Sequence, residues 1–273
     1  MKTILIPTDF SETSRNASLY AIKMASEIKI PKVVFYHYYE THLIYSPTGE
    51  LDEISSIEPG RIKSIEGLTA FVDSLGKIPK DVEVEMYHGA SSVNEGVQEV
   101  VNITQADLVI LGIKSGSILK DALFDWNTLS VIKLIKIPVL VVPSTATFKK
   151  YEKITFLSDF KNVENTPVHE INTLFEHGEV DFSILHLQKK SESEAYIAEG
   201  KLKLSKIFSE YSPTFYFSES HNYTDDIIDF VAHNQIDIFC IIPREHSLLA
   251  TVFNNHTSKL AHHIQVPLLI VHQ

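Results

Sequence analysis

The chain has one cysteine in 273 residues, so it cannot form an internal disulfide, and this suits a reducing compartment. That residue, Cys240, lies in the apolar run IDIFCII (236–242), where a buried structural thiol is expected. Positive charge is also scarce. With 24 Lys and Arg against 35 Asp and Glu, the formal net charge is −11, which argues against a non-specific nucleic-acid binder. No apolar run approaches the roughly 20 residues that span a bilayer. The run TILI (3–6) is cut by Pro7 and Asp9, too soon for the apolar core of an export signal. The expectation is a cytoplasmic protein with no membrane and no nucleic acid among its partners.

What the sequence does hold is a repeat. KTILIPTDF (2–10) matches KITFLSDF (153–160), which sets Asp9 opposite Asp159. VVFYHYY (33–39) matches FSILHLQ (182–188), which sets His37 opposite His186. ADLVILG (106–112) matches IDIFCII (236–242), and IPVLVVP (137–143) matches VPLLIVH (266–272). Four matches in one order predict two domains, residues 1–147 and 148–273, divided in the polar stretch PSTATFKKYE (143–152). Formal charge divides as −5 and −6, so neither half is a basic arm.

In each half, β-rich apolar runs alternate with helical patterns. ASLYAIKMASEI (17–28) sets Leu19, Ala21, Ile22, Ala25 and Ile28 at helical spacing, and VNEGVQEVVNITQ (93–105) does so with Val97, Val100, Val101 and Thr104. LVILG and PVLVV are continuously apolar, as strands of a parallel sheet covered on both faces are. The prediction is an α/β fold of two tandem doubly wound domains. Residues 41–60 read as a Pro/Gly-containing excursion after the second strand, with the polar helix at 193–211 as its counterpart.

Ligands of such sheets lie outside the carboxyl ends of the strands. That rule selects Pro7, Thr8, Asp9, Phe10 and Ser11 after the first strand, His37 after the second, His88 and Gly89 after the third and Gly112 onward after the fourth. A carboxylate at Asp9 can accept hydrogen bonds from a ribose hydroxyl or an adenine amino group. Asp9 and Asp159 can also cap the helices that follow, and the two roles are compatible.

Here the sequence resembles a family. ILIPTDFSETSRNASLYAIKMA, YHGASSVNEGVQEVVNITQADLVILGIKSGS and NTLSVIKLIKIPVLVVP together are similar to a universal stress protein domain. With its degenerate second copy, the chain resembles the tandem members. The resemblance implies a five-stranded parallel sheet per domain, with the two last strands paired across a pseudo-twofold axis into an internal dimer.

It also implies a phosphate loop, G-x-x-G-x9-G-[S/T], in the members that bind ATP. Laid on this chain, the loop starts at Gly112, its second glycine becomes Ser115 beside Gly116 and Ser117, and its final pair falls on Asp125 and Trp126, before Asn127 and Thr128. A carboxylate there occupies the electropositive corner that a phosphate needs. Two like charges about 4 Å apart repel by about 4 kcal/mol at an effective dielectric constant near 20. Asp125 and Trp126 are therefore expected to block the site against a triphosphate. In the second half the loop has no glycine. Ser158 and Asp159 match the first strand's end, Asn254 and Asn255 the closing pair, and Arg244 stands near the start.

Thirteen histidines form no metal-ligand spacing, and no metal is expected. Walker, G-x-S-x-G and C-x-x-C patterns are absent, so no catalytic residue is assigned. The expected function is a non-enzymatic stress-response module with a degenerate nucleotide site. The alternative is a switch or slow hydrolase that binds ATP or another adenine nucleotide in the first domain. Expected partners are the internal pseudo-dimer, a homodimer and a protein of unknown identity.

Overall fold

The structure, a computed structural model, describes residues 1–39, 44–45, 51–52, 54–90, 93–114, 126–175, 180–218, 223–242 and 265–272. Two compact units emerge: Met1–Gly112 with Phe124–Ile137, and Ile113–Leu123 with Pro138–Gln273.

The first unit runs β1 (Thr3–Pro7), α1 (Glu12–Glu27), β2 (Lys32–Tyr38), β3 (Ile44–Tyr45), β4 (Leu51–Asp52), α2 (Ile54–Ser74), β5 (Glu83–Gly89), α3 (Val93–Thr104), β6 (Leu108–Ile113) and α4 (Trp126–Leu134). Its main strands are parallel in the order β6-β1-β2-β5. β1, β2 and β6 are buried almost throughout, as their unbroken apolar runs require. The α1 core face comprises Ala17, Tyr20, Ala21, Ile22, Met24 and Ala25. Leu19 departs from the expected pattern and is 40% exposed, because Tyr20 takes the inward position next to it.

The second unit begins with β7 (Val139–Pro143) and continues β8 (Lys153–Ser158), a 3-10 turn η1 (Val163–Asn165), α5 (Val168–Phe175), β9 (Asp181–Leu187), α6 (Glu194–Ile207), β10 (Thr214–Ser218), α7 (Tyr223–Asn234), β11 (Ile238–Ile241) and β12 (Leu268–Ile270). The order is β10-β9-β8-β11-β12-β7. All neighbours are parallel except β12 and β7, which run antiparallel with Leu269 opposite Leu140. The last strands of the two sequence repeats therefore do pair, and β7 belongs to the second unit.

The helix pairing differs from the sequence expectation. The structural counterpart of α6 is α2, which begins at Ile54 and contains Pro59, so the last part of the 41–60 stretch is helical. Pro59 is the sixth residue of α2, so it has a helical φ but lacks the N–H that would bond the carbonyl one turn earlier.

One device occurs twice. Asp107, just before β6, accepts the backbone N–H groups of Lys2 and Thr3 at 2.6 and 3.0 Å. Asp237, just before β11, accepts those of Glu152 and Lys153 at 2.8 and 2.9 Å, with the Lys149 ammonium as partner. Each carboxylate fixes the amino end of the neighbouring strand. Asp237→Ala leaves two amides without acceptors and is expected to cost about 2 kcal/mol, read as a lower urea midpoint. No helix among the described residues is long and apolar enough to cross a membrane.

Candidate functional site

In the first unit, strand order reverses around β1, so the site forms where the chain leaves that strand. The Thr8 N–H continues the ladder to the Tyr36 carbonyl at 2.8 Å. Its hydroxyl oxygen then accepts the Phe10 N–H at 3.0 Å, and Asp9 Oδ1 accepts the Ser11 N–H at 3.0 Å. These two small turns hold Phe10 at φ 64°, in the left-handed region. The cap of α1 is Ser11, whose hydroxyl oxygen accepts the Ser14 N–H at 3.2 Å, so Asp9 is not the helix cap.

Freed from that duty, the Asp9 side chain is exposed. Burial of its surroundings pushes the carboxyl up. Hydrogen bonds from the side chain and backbone of Ser11, and from Ser14, outweigh that push and hold it below the ordinary 3.8. Asp9 is an anionic acceptor at the mouth of the strand ends.

His37, at the end of β2, forms the floor beside it. Its ring stacks on Phe10 with centroids 4.1 Å apart and planes 18° apart, and Nδ1 lies 2.7 Å from the buried Ser64 hydroxyl of α2. His88, paired with His37 in the β2–β5 register, is exposed, with the Tyr39 ring 6.3 Å away. Burial lowers the His37 pKa from its ordinary 6.5, Asp9 opposes this and His88 adds to it.

A depressed folded-state pKa means that the unfolded chain takes up the proton first. The His37 contribution to stability is complete above about pH 6.5 and is lost as pH falls below it. Wild type should therefore lose more stability between pH 7 and pH 5.5 than His37→Gln does, in paired urea titrations.

Gly112 has a packing reason of its own. A Cβ at this position would meet the Thr13 carbonyl oxygen at 2.4 Å and its carbon at 2.8 Å, so the first turn of α1 lies directly against the end of β6. Ser115, Gly116, Ser117 and Asp125 lie outside the described residues. Trp126, Asn127 and Thr128 are the first three residues of α4.

The second unit repeats the turns with a different outcome. The Ser158 hydroxyl oxygen accepts the Phe160 N–H at 3.1 Å, and Asp159 Oδ1 accepts the Lys161 N–H at 3.2 Å, with Phe160 at φ 57°. Phe160 stacks on His186 at 4.0 Å and 3°. The His186 ring is fully buried. Nδ1 lies 2.9 Å from the Ser158 carbonyl and Nε2 2.8 Å from a Glu192 carboxylate oxygen. The Tyr196 hydroxyl donates to the Asp159 carbonyl at 2.8 Å, and Tyr196, Phe215 and Phe217 ring the Phe160 side chain. Asp159 is only 4% exposed. Arg244, Asn254 and Asn255 lie outside the described residues.

The sequence reading placed Phe10 at the strand end without giving it a role, and it missed Phe160, Ser64 and a glycine in each facing helix. A Cβ on Gly67 would sit 2.8 Å from Phe10, and one on Gly200 would sit 2.3 Å from Phe160. The signal was present as DF in both repeats and as isolated glycines within helical patterns. Among the described residues, no group of three His, Cys, Asp or Glu is placed to hold a metal ion.

The parallel strands covered by helices, with a polar cluster at the end of β1, define a doubly wound α/β fold. The sequence model of the universal stress protein family matches residues 1–143, and the chain belongs to that family. No curated protein sequence matches it. Among solved structures, a universal stress protein from Archaeoglobus fulgidus DSM 4304 is 14% identical with a TM-score of 0.70, covering 99% of this chain and 98% of that one. A protein from Pseudomonas aeruginosa PAO1 is 11% identical with a TM-score of 0.57, covering 100% and 92%. A universal stress protein solved in complex with cAMP is 18% identical with a TM-score of 0.37, covering 52% of this chain and 97% of that one.

Proposed function

We propose that this is a non-enzymatic, cytoplasmic stress-response module whose first unit keeps a site for an uncharged nucleoside-type ligand and whose second unit holds a degenerate copy. The observation that carries this is the contrast between two matched aspartates. Asp9 is exposed beside His37 and His88, whereas Asp159 is buried beneath Tyr196 and the Phe160–His186 stack. The helix starts support it. α1 begins at Glu12, immediately after its Ser11 cap, whereas a 3-10 turn separates Asp159 from α5, which begins at Val168.

Preference for a neutral ligand follows from sequence, since Asp125 and Trp126 stand where a phosphate-binding pair would. The competing reading, an ATP switch or slow hydrolase, draws on α4 starting at Trp126, which offers helix amides near the end of that loop. Calorimetry separates them. Adenosine should bind, ATP should bind more weakly, and Asp9→Ala should abolish adenosine binding. Micromolar ATP affinity in wild type would establish the switch instead.

A further inference from the structure

We propose that β10 is a homodimer surface, pairing antiparallel with β10 of a second copy about a two-fold axis through Tyr216. This inference is independent of the ligand site. β10 ends the strand order of the second unit, and among the described residues it pairs only with β9.

The Ser218 carbonyl accepts from the Gln188 N–H at 2.8 Å, on the β9 side. Alternation along the strand turns the backbone groups of Thr214 and Tyr216 the same way, and those of Phe215 and Phe217 outward. Two copies run antiparallel about Tyr216 set Phe215 opposite Phe217 twice. All four outward N–H and C=O pairs are then satisfied, and Tyr216 faces Tyr216 across a non-hydrogen-bonded position.

The side chains fit that occupant. TFYFS carries no charge, so nothing in it repels its own copy, and Tyr216 and Phe217 are 38% and 39% exposed for aromatic cross-strand contact. Side chains on both faces of the strand are packed. Lys201 lies over the Phe215 and Phe217 rings at 5.4 and 5.6 Å, and Phe230 of α7 packs on Tyr216 at 5.0 Å.

The outer strand of the first unit is guarded in the usual way for an edge. β5 carries Glu83 and Glu85 two residues apart, with Lys32 bridging Glu85 at 2.6 Å. Pairing of β10 with itself about a two-fold axis closes the assembly at two copies, whereas β10 on β5 of another copy would leave a free edge at each end and continue as an open chain.

The test uses the full chain. Wild type should sediment at twice the 30.9 kDa chain mass. Tyr216→Lys, which sets two ammonium groups face to face, should weaken association at least about tenfold while thermal unfolding stays cooperative. Cys240 is buried, so Tyr216→Cys adds one reactive thiol. At about 4.5 Å between Cα atoms it should form a covalent dimer under mild oxidation, whereas Glu83→Cys at the other edge should not. A monomeric wild type, a dimer unaffected by Tyr216→Lys, or equal crosslinking at the two edges overturns the proposal.

Discussion

Gly200→Ala should lower the stability of the second unit by about 2–3 kcal/mol, although alanine is the better helix former by roughly 1 kcal/mol. The added methyl would lie 2.3, 2.5 and 2.7 Å from Phe160 Cγ, Cδ2 and Cβ, the root of the ring. Phe160 has no room to withdraw. His186 stacks on it at 4.0 Å, three further aromatic rings surround it, and its backbone is fixed at φ 57° by the Ser158 turn. Gly67→Ala provides the internal comparison. There the nearest atom is Phe10 Cε2 at 2.8 Å, the far side of a half-buried ring, which can tilt. Its cost should stay below about 1 kcal/mol. Urea denaturation of both variants beside wild type reads the difference. Equal effects would mean that the two phenylalanines are held alike.

The second large effect concerns affinity. Asp125→Gly with Trp126→Ser should raise ATP affinity by roughly a hundredfold to a thousandfold. On the loop alignment that the family resemblance implies, the carboxylate takes the place of a bare glycine. Removing a repulsion of about 4 kcal/mol is a change of about a thousandfold at most, and screening by salt lowers it. Adenosine affinity should change little, since adenosine is assigned to Asp9 in the proposal above and carries no phosphate for a carboxylate to repel. Isothermal titration of wild type and variant with both ligands tests this. An unchanged ATP affinity would show that the pair does not exclude phosphate.

How far the sequence carries the fold is seen in β6 and β7. Their unbroken apolar runs announced buried strands, of which β6 runs parallel to β1 whereas β7 runs antiparallel to β12. The four repeated segments announced two copies, with the pairing of their last strands implied by the family resemblance. Leu19 shows the limit. Helical spacing marks a face, but which neighbour turns inward is decided by packing, and Tyr20 took the place. At the site, the repeat matched Asp9 with Asp159 and His37 with His186, yet it gave no warning that one aspartate is open and the other sealed. The seal comes from Glu192 and Tyr196, at the entry to α6, where the two halves share little sequence. The delayed start of α5 has no local signal except Asn162, which takes a left-handed φ of 45° and interrupts the path to a helix. Gly67 and Gly200 are single residues in helical patterns, and their purpose appears only once the phenylalanines are in place.

One measurement bears most directly on the claim of a single open site. Amide hydrogen exchange of the full chain, with and without saturating adenosine, should show added protection in residues 7–14 and 36–39 and none in 157–162. Protection at 157–162, or at neither segment under conditions where adenosine binds, would contradict it.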